Sequence, residues 1–210
     1  MAEQSRAEIQ FHNIDRQREA DRLGMLVFLA SEIMLFGGVF LAAFSLRMLS
    51  PEEYVSASSH MKLWHGTANT AILLASSMFA ALAVEMASSS KPKWAGRCLW
   101  SAVGLGIVFL GVKAHEYYLD YLDGKLPGAA NAHFSSEFEQ LFSNFYFTAT
   151  GLHALHVTGG LALLSIAALR RSARHDCHAI LIGNAALYWH LVDIVWIFLY
   201  PTIYLAGASA

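Results

Sequence analysis

The chain is 210 residues long, 56% hydrophobic and only 14% charged, with a formal net charge of -2. A soluble domain carries about 25% charged residues, so the composition argues against a water-soluble fold. No basic stripe with interleaved aromatics is present, which argues against a nucleic-acid partner. The charges gather in short segments between long apolar runs, the pattern of a polytopic membrane protein.

Residues 1–22 are polar and mixed in charge, with Glu3, Arg6, Glu8, Asp15, Arg16, Arg18, Glu19, Asp21 and Arg22. They lack the short apolar core and small-residue cleavage site of a signal peptide. This segment is expected to be a retained cytoplasmic tail, with Ile9, Phe11 and Ile14 marking a candidate interfacial helix. Residues 23–206 form the membrane domain. Its five spans are expected at about 23–48, 64–86, 95–118, 141–169 and 180–205, each at least as long as the about 20 apolar residues a bilayer requires. The longest connection, 120–140, contains Gly124, Pro127 and Gly128 and reads as a loop. The expected fold is an all-α, five-helix transmembrane bundle.

Orientation follows from Lys and Arg. Arg6, Arg16, Arg18 and Arg22 in the tail, Lys91, Lys93 and Arg97 before span three, and Arg170, Arg171 and Arg174 before span five all lie on one side. Only Arg47, Lys62 and Lys125 lie opposite. The bias puts the N-terminus in the cytoplasm and the C-terminus outside, assuming a bacterial inner membrane. Cys98 and Cys177 then both face the cytoplasm, where thiols stay reduced, so no disulfide is expected. Trp64, Trp94, Trp100, Tyr200 and Tyr204 sit at span ends and read as interfacial anchors. Gly37, Gly38, Gly104, Gly106, Gly159, Gly160 and the Ala/Ser-rich span two allow close helix packing.

Polar residues inside the spans carry the chemical interest, because an ionisable group there needs protein partners. Glu32 lies near the middle of span one, where it is either neutral or paired. Lys113, His115 and Glu116 end span three; Lys113 and Glu116 are three residues apart and read as an interfacial pair. His153 and His156 share a face of span four, and His190 and Asp193 repeat that spacing on span five. Trp189, Asp193, Trp196 and Tyr200 form a stripe along the last span. From the residues alone, Glu32, His153, His156, His190 and Asp193 support a polar network that sets helix register, a metal or haem site, or a proton or substrate path. Paired Glu-x-x-His helices and cysteine ligands, which would favour a metal centre, are missing.

Taken together, five ordered segments resemble subunit III of the haem-copper respiratory oxidases, the cytochrome c oxidase family. They are Ala30-Ser-Glu32-Ile-Met-Leu-Phe36, Asn69-Thr-Ala-Ile-Leu-Leu-Ala-Ser76, His115-Glu-Tyr-Tyr118, Phe147-Thr-Ala-Thr-Gly-Leu-His153-Ala-Leu-His156-Val and Tyr188-Trp-His190-Leu-Val-Asp193-Ile-Val-Trp196. The resemblance implies an accessory, non-redox subunit of a proton-pumping terminal oxidase that reduces O2 to water. Such a subunit packs against subunit I, accompanies subunit II, binds structural phospholipid and supports proton uptake. It implies no catalytic residue, cofactor or metal in this chain, with haem and copper in the partner subunits. Glu32 matches the family's intramembrane carboxyl, known for carbodiimide reactivity. His153, His156, His190 and Asp193 match its buried polar positions, and Glu116 its acid before the tyrosine pair. The longest members have seven spans, and this chain begins at what looks like the third, so a lipid cleft would need a wall from a neighbouring subunit. Subunits of quinol oxidases and nitric oxide reductases share the pattern. A b-type membrane cytochrome and a proton-coupled transporter are the readings of a different class.

Overall fold

Inside a bilayer no water is available to backbone N–H and C=O groups, so an apolar chain must satisfy them within helices. The computed structural model describes residues 14–59, 63–89, 91–126, 134, 136–170 and 175–207, without the side chains of 14–18 and 175–178. Among these residues there are six α-helices: α1 (Ile14–Leu49), α2 (Pro51–Ser59), α3 (Leu63–Ser88), α4 (Pro92–Leu122), α5 (Glu137–Leu169) and α6 (His175–Tyr200). A π-helical turn, Pro201–Leu205, continues α6. Five segments are long and apolar enough to cross a membrane: Glu19–Leu49, Leu63–Ser88, Pro92–Leu122, Glu137–Leu169 and Ala179–Leu205. The five expected spans are present, and the chain is a multi-pass membrane protein. Ile9, Phe11 and the Cys177 side chain lie outside the described residues.

Two differences from the expected elements have local causes. Helix α1, described from Ile14, runs through the end of the segment read as tail, where no Pro or Gly interrupts it. The connection after α1 holds the further helix α2, which starts with Pro51 and carries Glu52 and Glu53 in its first turn. Both features favour a helix N-terminus, where Pro loses no bond and acids meet the positive dipole end.

The chain divides into two compact units, residues 1–39 and 40–210. The first holds the N-terminal part of α1, whose Leu23, Leu26, Val27 and Met34 are exposed. In the second, α3 packs on α4 and α6, and α5 packs on the same two helices, closing a four-helix ring. Its core includes Leu73, Leu99, Phe109, Leu164, Ile182 and Trp189. The ring closes tightly where Trp189 of α6 lies against two glycines. A Cβ at Gly106 would stand 2.7 Å from the Trp189 ring, and one at Gly160 would also stand 2.7 Å from it. Gly104, by contrast, faces open space.

Helix α4 stops in a Schellman motif. Gly124 adopts φ 68°, its N–H reaches Tyr121 O, and Lys125 N–H reaches Asp120 O. Glycine takes that left-handed conformation without a Cβ penalty. Ser136 starts α5 by accepting from the Glu139 N–H at 3.1 Å. The last carbonyls after α6 are satisfied by α2: Tyr54 Oη donates to Thr202 O at 2.9 Å and Ser58 Oγ to Ile203 O at 2.6 Å. The Gly207 N–H then donates to Ser58 Oγ at 3.0 Å. A Cβ on Gly207 would run into the backbone of Ser59 and Val55, so only glycine allows this approach.

Two outcomes follow. Gly106→Val should lower thermal stability in mild detergent by about 1–3 kcal/mol through overpacking, whereas Gly104→Val should leave the melting midpoint unchanged. Burial pushes the Tyr54 phenol up to about 12, with Arg47 partly opposing it. The fold therefore favours neutral Tyr54, a contribution that is complete below the reference value of about 10 and lost as pH rises through the folded value. Alkaline melting curves should show this loss in the native chain and not in Tyr54→Phe.

Candidate functional site in the bundle core

The richest cluster of buried polar groups is built on the last third of α4. Lys113 and Glu116, one helical turn apart, pair at 3.0 Å with side chains only 4% and 2% exposed. Lys113 Nζ also donates to Tyr146 Oη at 3.2 Å and Tyr204 Oη at 2.9 Å. Glu116 Oε1 accepts from both phenols, at 3.1 Å from Tyr146 and 2.7 Å from Tyr204. The rings of Tyr117, Tyr146, Trp196 and Tyr204 stand 5.1–5.6 Å from the ammonium. Their negative faces stabilise the cation where water is excluded. All three Lys113 protons and both Glu116 oxygens are thus engaged, and the cluster ties α4, α5 and the turn after α6 together.

Tyr146 is held from below as well. Thr150 Oγ1 donates to Tyr146 O at 2.6 Å, which leaves it to accept from Tyr117 Oη at 2.5 Å. His115 does not join the cluster: it is exposed and stacks on His65 of α3, with ring centroids 6.3 Å apart.

A second polar group lies near the middle of the last span. Ser77 Oγ of α3 and His190 Nδ1 are 2.6 Å apart, and Ser77 also engages the buried Asp193 carboxyl. The hydroxyl of Ser77 thus joins α3 to the polar face of α6.

His153 is fully enclosed, its ring 5.8 Å from Phe109 and 5.1 Å from Trp196. Trp196 Nε1 donates to Thr70 Oγ1 of α3 at 3.1 Å. His156 is half-buried and its Nδ1–H donates to Leu152 O at 2.8 Å. Glu32 belongs to the first unit and is half-buried on α1, beside Ser31, whose hydroxyl donates to Phe28 O at 2.7 Å. Among the described residues, no three His, Cys, Asp or Glu side chains converge as ligands for a metal ion.

Sequence reasoning assigned Tyr204 to the membrane interface, and this is corrected: Tyr204 is 1% exposed and belongs to the Lys113–Glu116 cluster. It lies four residues beyond Tyr200, so extending the aromatic stripe by one turn would have found it. Tyr200 itself is half-buried and meets Thr67 Oγ1 at 2.7 Å. Ser77 was hidden in an Ala/Ser-rich helix where no hydroxyl stood out. Asn69 is another residue missed as a core group; it is fully buried and neither amide atom has a hydrogen-bond partner.

Removing one partner of a buried pair leaves a bare charge, at a cost of about 3–5 kcal/mol, whereas replacing both is far milder. Lys113→Met alone should therefore sharply reduce the yield of folded chain from detergent extracts. Lys113→Met with Glu116→Leu should recover much of it, measured by size-exclusion profile and melting midpoint.

With this geometry in hand, comparison with known proteins is direct. The family described as "Cytochrome c oxidase subunit III" matches residues 5–208. Cytochrome c oxidase subunit 3 of Thermostichus vulcanus is 31% identical over 188 residues, covering 87% of this chain and 86% of that protein. The protein of the same name from Struthio camelus is 32% identical over 213 residues, covering 95% and 74%. That of Latimeria chalumnae is 32% identical over 201 residues, covering 89% and 70%. The chain belongs to the cytochrome c oxidase subunit III family.

Proposed function

We propose that this chain is the accessory, non-redox subunit III of a proton-pumping terminal oxidase in a bacterial inner membrane, holding the catalytic subunit I in working form. The observation that carries this reading is the family match over nearly the whole chain, on a protein with five helices of membrane-spanning length. Family membership makes it a respiratory oxidase subunit, and its partners are therefore other oxidase subunits. In this reading subunit I packs directly on it, subunit II completes the core, and haem and copper reside in those partners.

The finer roles follow from the placement of polar groups. The exposed apolar residues of α1 and of the bundle suit contact with subunit I and with structural phospholipid. Glu32 is the residue proposed to serve proton uptake, since a carboxyl inside a span persists for a functional or pairing reason. Glu32, His153, His156, His190 and Asp193 act as the intramembrane polar set; Lys113, His115 and Glu116 lie toward the outer end. The excess of Lys and Arg on one side supports a cytoplasmic N-terminus and an outside C-terminus.

Purification through a tag on this chain in mild detergent tests the reading. Subunits I and II should co-purify, with reduced-minus-oxidised haem bands and O2 consumption; recovery of the chain alone, or with a transport substrate, would reject it. Asp193→Leu should lower recovery of the assembled complex by about tenfold while turnover per assembled complex stays near normal, the expected result of an unpaired helix contact. Normal recovery with depressed turnover would assign Asp193 to catalysis instead.

A further inference from the structure

The cluster on α4 has one side that reaches solvent. A small, partly open cavity with a largely apolar lining lies beneath α2 and beside the start of α5. Asp120, Lys125, Glu139, Ser143 and Tyr146 supply its polar lining, and Ala57 of α2 forms part of its wall. Tyr146 is thus shared: it borders the cavity and bonds directly to both Lys113 and Glu116. Asp120 lies one turn beyond Glu116 and acts electrostatically on Lys113. Its enclosed part has room for about one water, with polar side chains among the lining.

We propose that this cavity is a water-binding entry through which the buried Lys113–Glu116–Tyr146–Tyr204 cluster exchanges protons with the aqueous phase on the side of α2. A protonated Asp120 carboxyl gives its proton to a cavity water, and that water passes one of its own to Tyr146 Oη. Tyr146 gives its hydroxyl proton to Glu116 Oε1 in the same movement. Asp120 ends as carboxylate and Glu116 as carboxylic acid; water and phenol are regenerated, so one proton has moved inward and no bond is left incomplete.

The charged and titratable groups facing the cluster are Tyr117 and Asp120 on α4, Tyr146 and His153 on α5, and Tyr204 beyond α6. Tyr146 is the residue shared by the cavity lining and the hydrogen-bonded cluster. This inference does not depend on which oxidase the chain serves.

The test is deuterium exchange at the Lys113 ammonium in the complex purified through this chain, using ¹⁵Nζ-lysine and solid-state NMR. The sequence holds five lysines, Lys62, Lys91, Lys93, Lys113 and Lys125, so the signal is assigned by its loss in Lys113→Met/Glu116→Leu. In the native complex Lys113 should exchange well before the backbone amides of the surrounding helices. Ala57→Leu, which fills the cavity without touching the cluster, should slow exchange by about tenfold or more, the rate equivalent of one lost hydrogen bond. Asp120→Asn should slow it similarly, and Tyr146→Phe should do so with Lys113 still in place. Exchange no faster than the amides in the native complex would overturn the proposal. So would a native rate preserved in both Ala57→Leu and Asp120→Asn, which would mean another route.

Discussion

The second unit depends on one buried ion pair. Lys113 and Glu116 are almost fully enclosed by protein, and removing one partner of such a pair costs about 3–5 kcal/mol. The pair survives because its donors and acceptors are met by each other or by a phenol, and because four aromatic rings stand near the ammonium. Those phenols come from α5 and from the turn after α6. The requirement to satisfy one lysine therefore fixes how three segments meet. The same principle acts at the helix ends, where α2 supplies Tyr54 and Ser58 to the carbonyls of Thr202 and Ile203.

Much of this was legible beforehand. Apolar length alone located five spans, since the bilayer permits little else, and five ordered segments carried the family. The i,i+3 spacing put Lys113 beside Glu116, and it put His190 and Asp193 on one face, where both meet Ser77. The partners from other helices were not legible, because spacing within a helix says nothing about rotation between helices. His153 and His156 show the limit: they share a spacing, yet one is sealed between Phe109 and Trp196 and the other bonds its own helix. Helix α2 was overlooked for another reason. Its start signals were present in Pro51-Glu-Glu53, but a search for apolar runs passes over a short polar helix.

The polar groups are unevenly placed, and this bears on what the subunit is for. The well-satisfied ones gather on α4, α5 and α6, while α1 and the outer faces of the other helices present leucine, methionine, isoleucine and phenylalanine. Scattered apolar surface of this sort suits lipid and neighbouring helices, whose association rests on packing more than on hydrophobic drive. The described part of the chain keeps its hydrogen-bonding chemistry inside and offers shape outside. That division suits a membrane subunit packed among other helices and lipid.

The order in which the chain is made adds a constraint on the central cluster. Lys113 and Glu116 lie on one helix, whereas Tyr204 lies 91 residues beyond Lys113. If the lysine relied on Tyr204 alone, α4 would have to enter the membrane with an unpaired charge and wait for the end of the chain. An i,i+3 partner removes that wait, because opposite charges one turn apart neutralise each other as soon as the helix forms. Tyr146 arrives with α5, and Tyr204, in the π-helical turn that continues α6, completes the set last. Half of the last span's apolar window is buried, more than in any other span. Trp189, Asp193, Trp196 and Tyr204 on it each engage a different part of α3, α4 and α5, and α6 closes the ring. The sequence of synthesis and the geometry of the finished bundle thus agree: the charge is neutralised locally first, and the final helix converts that local pair into a tertiary lock.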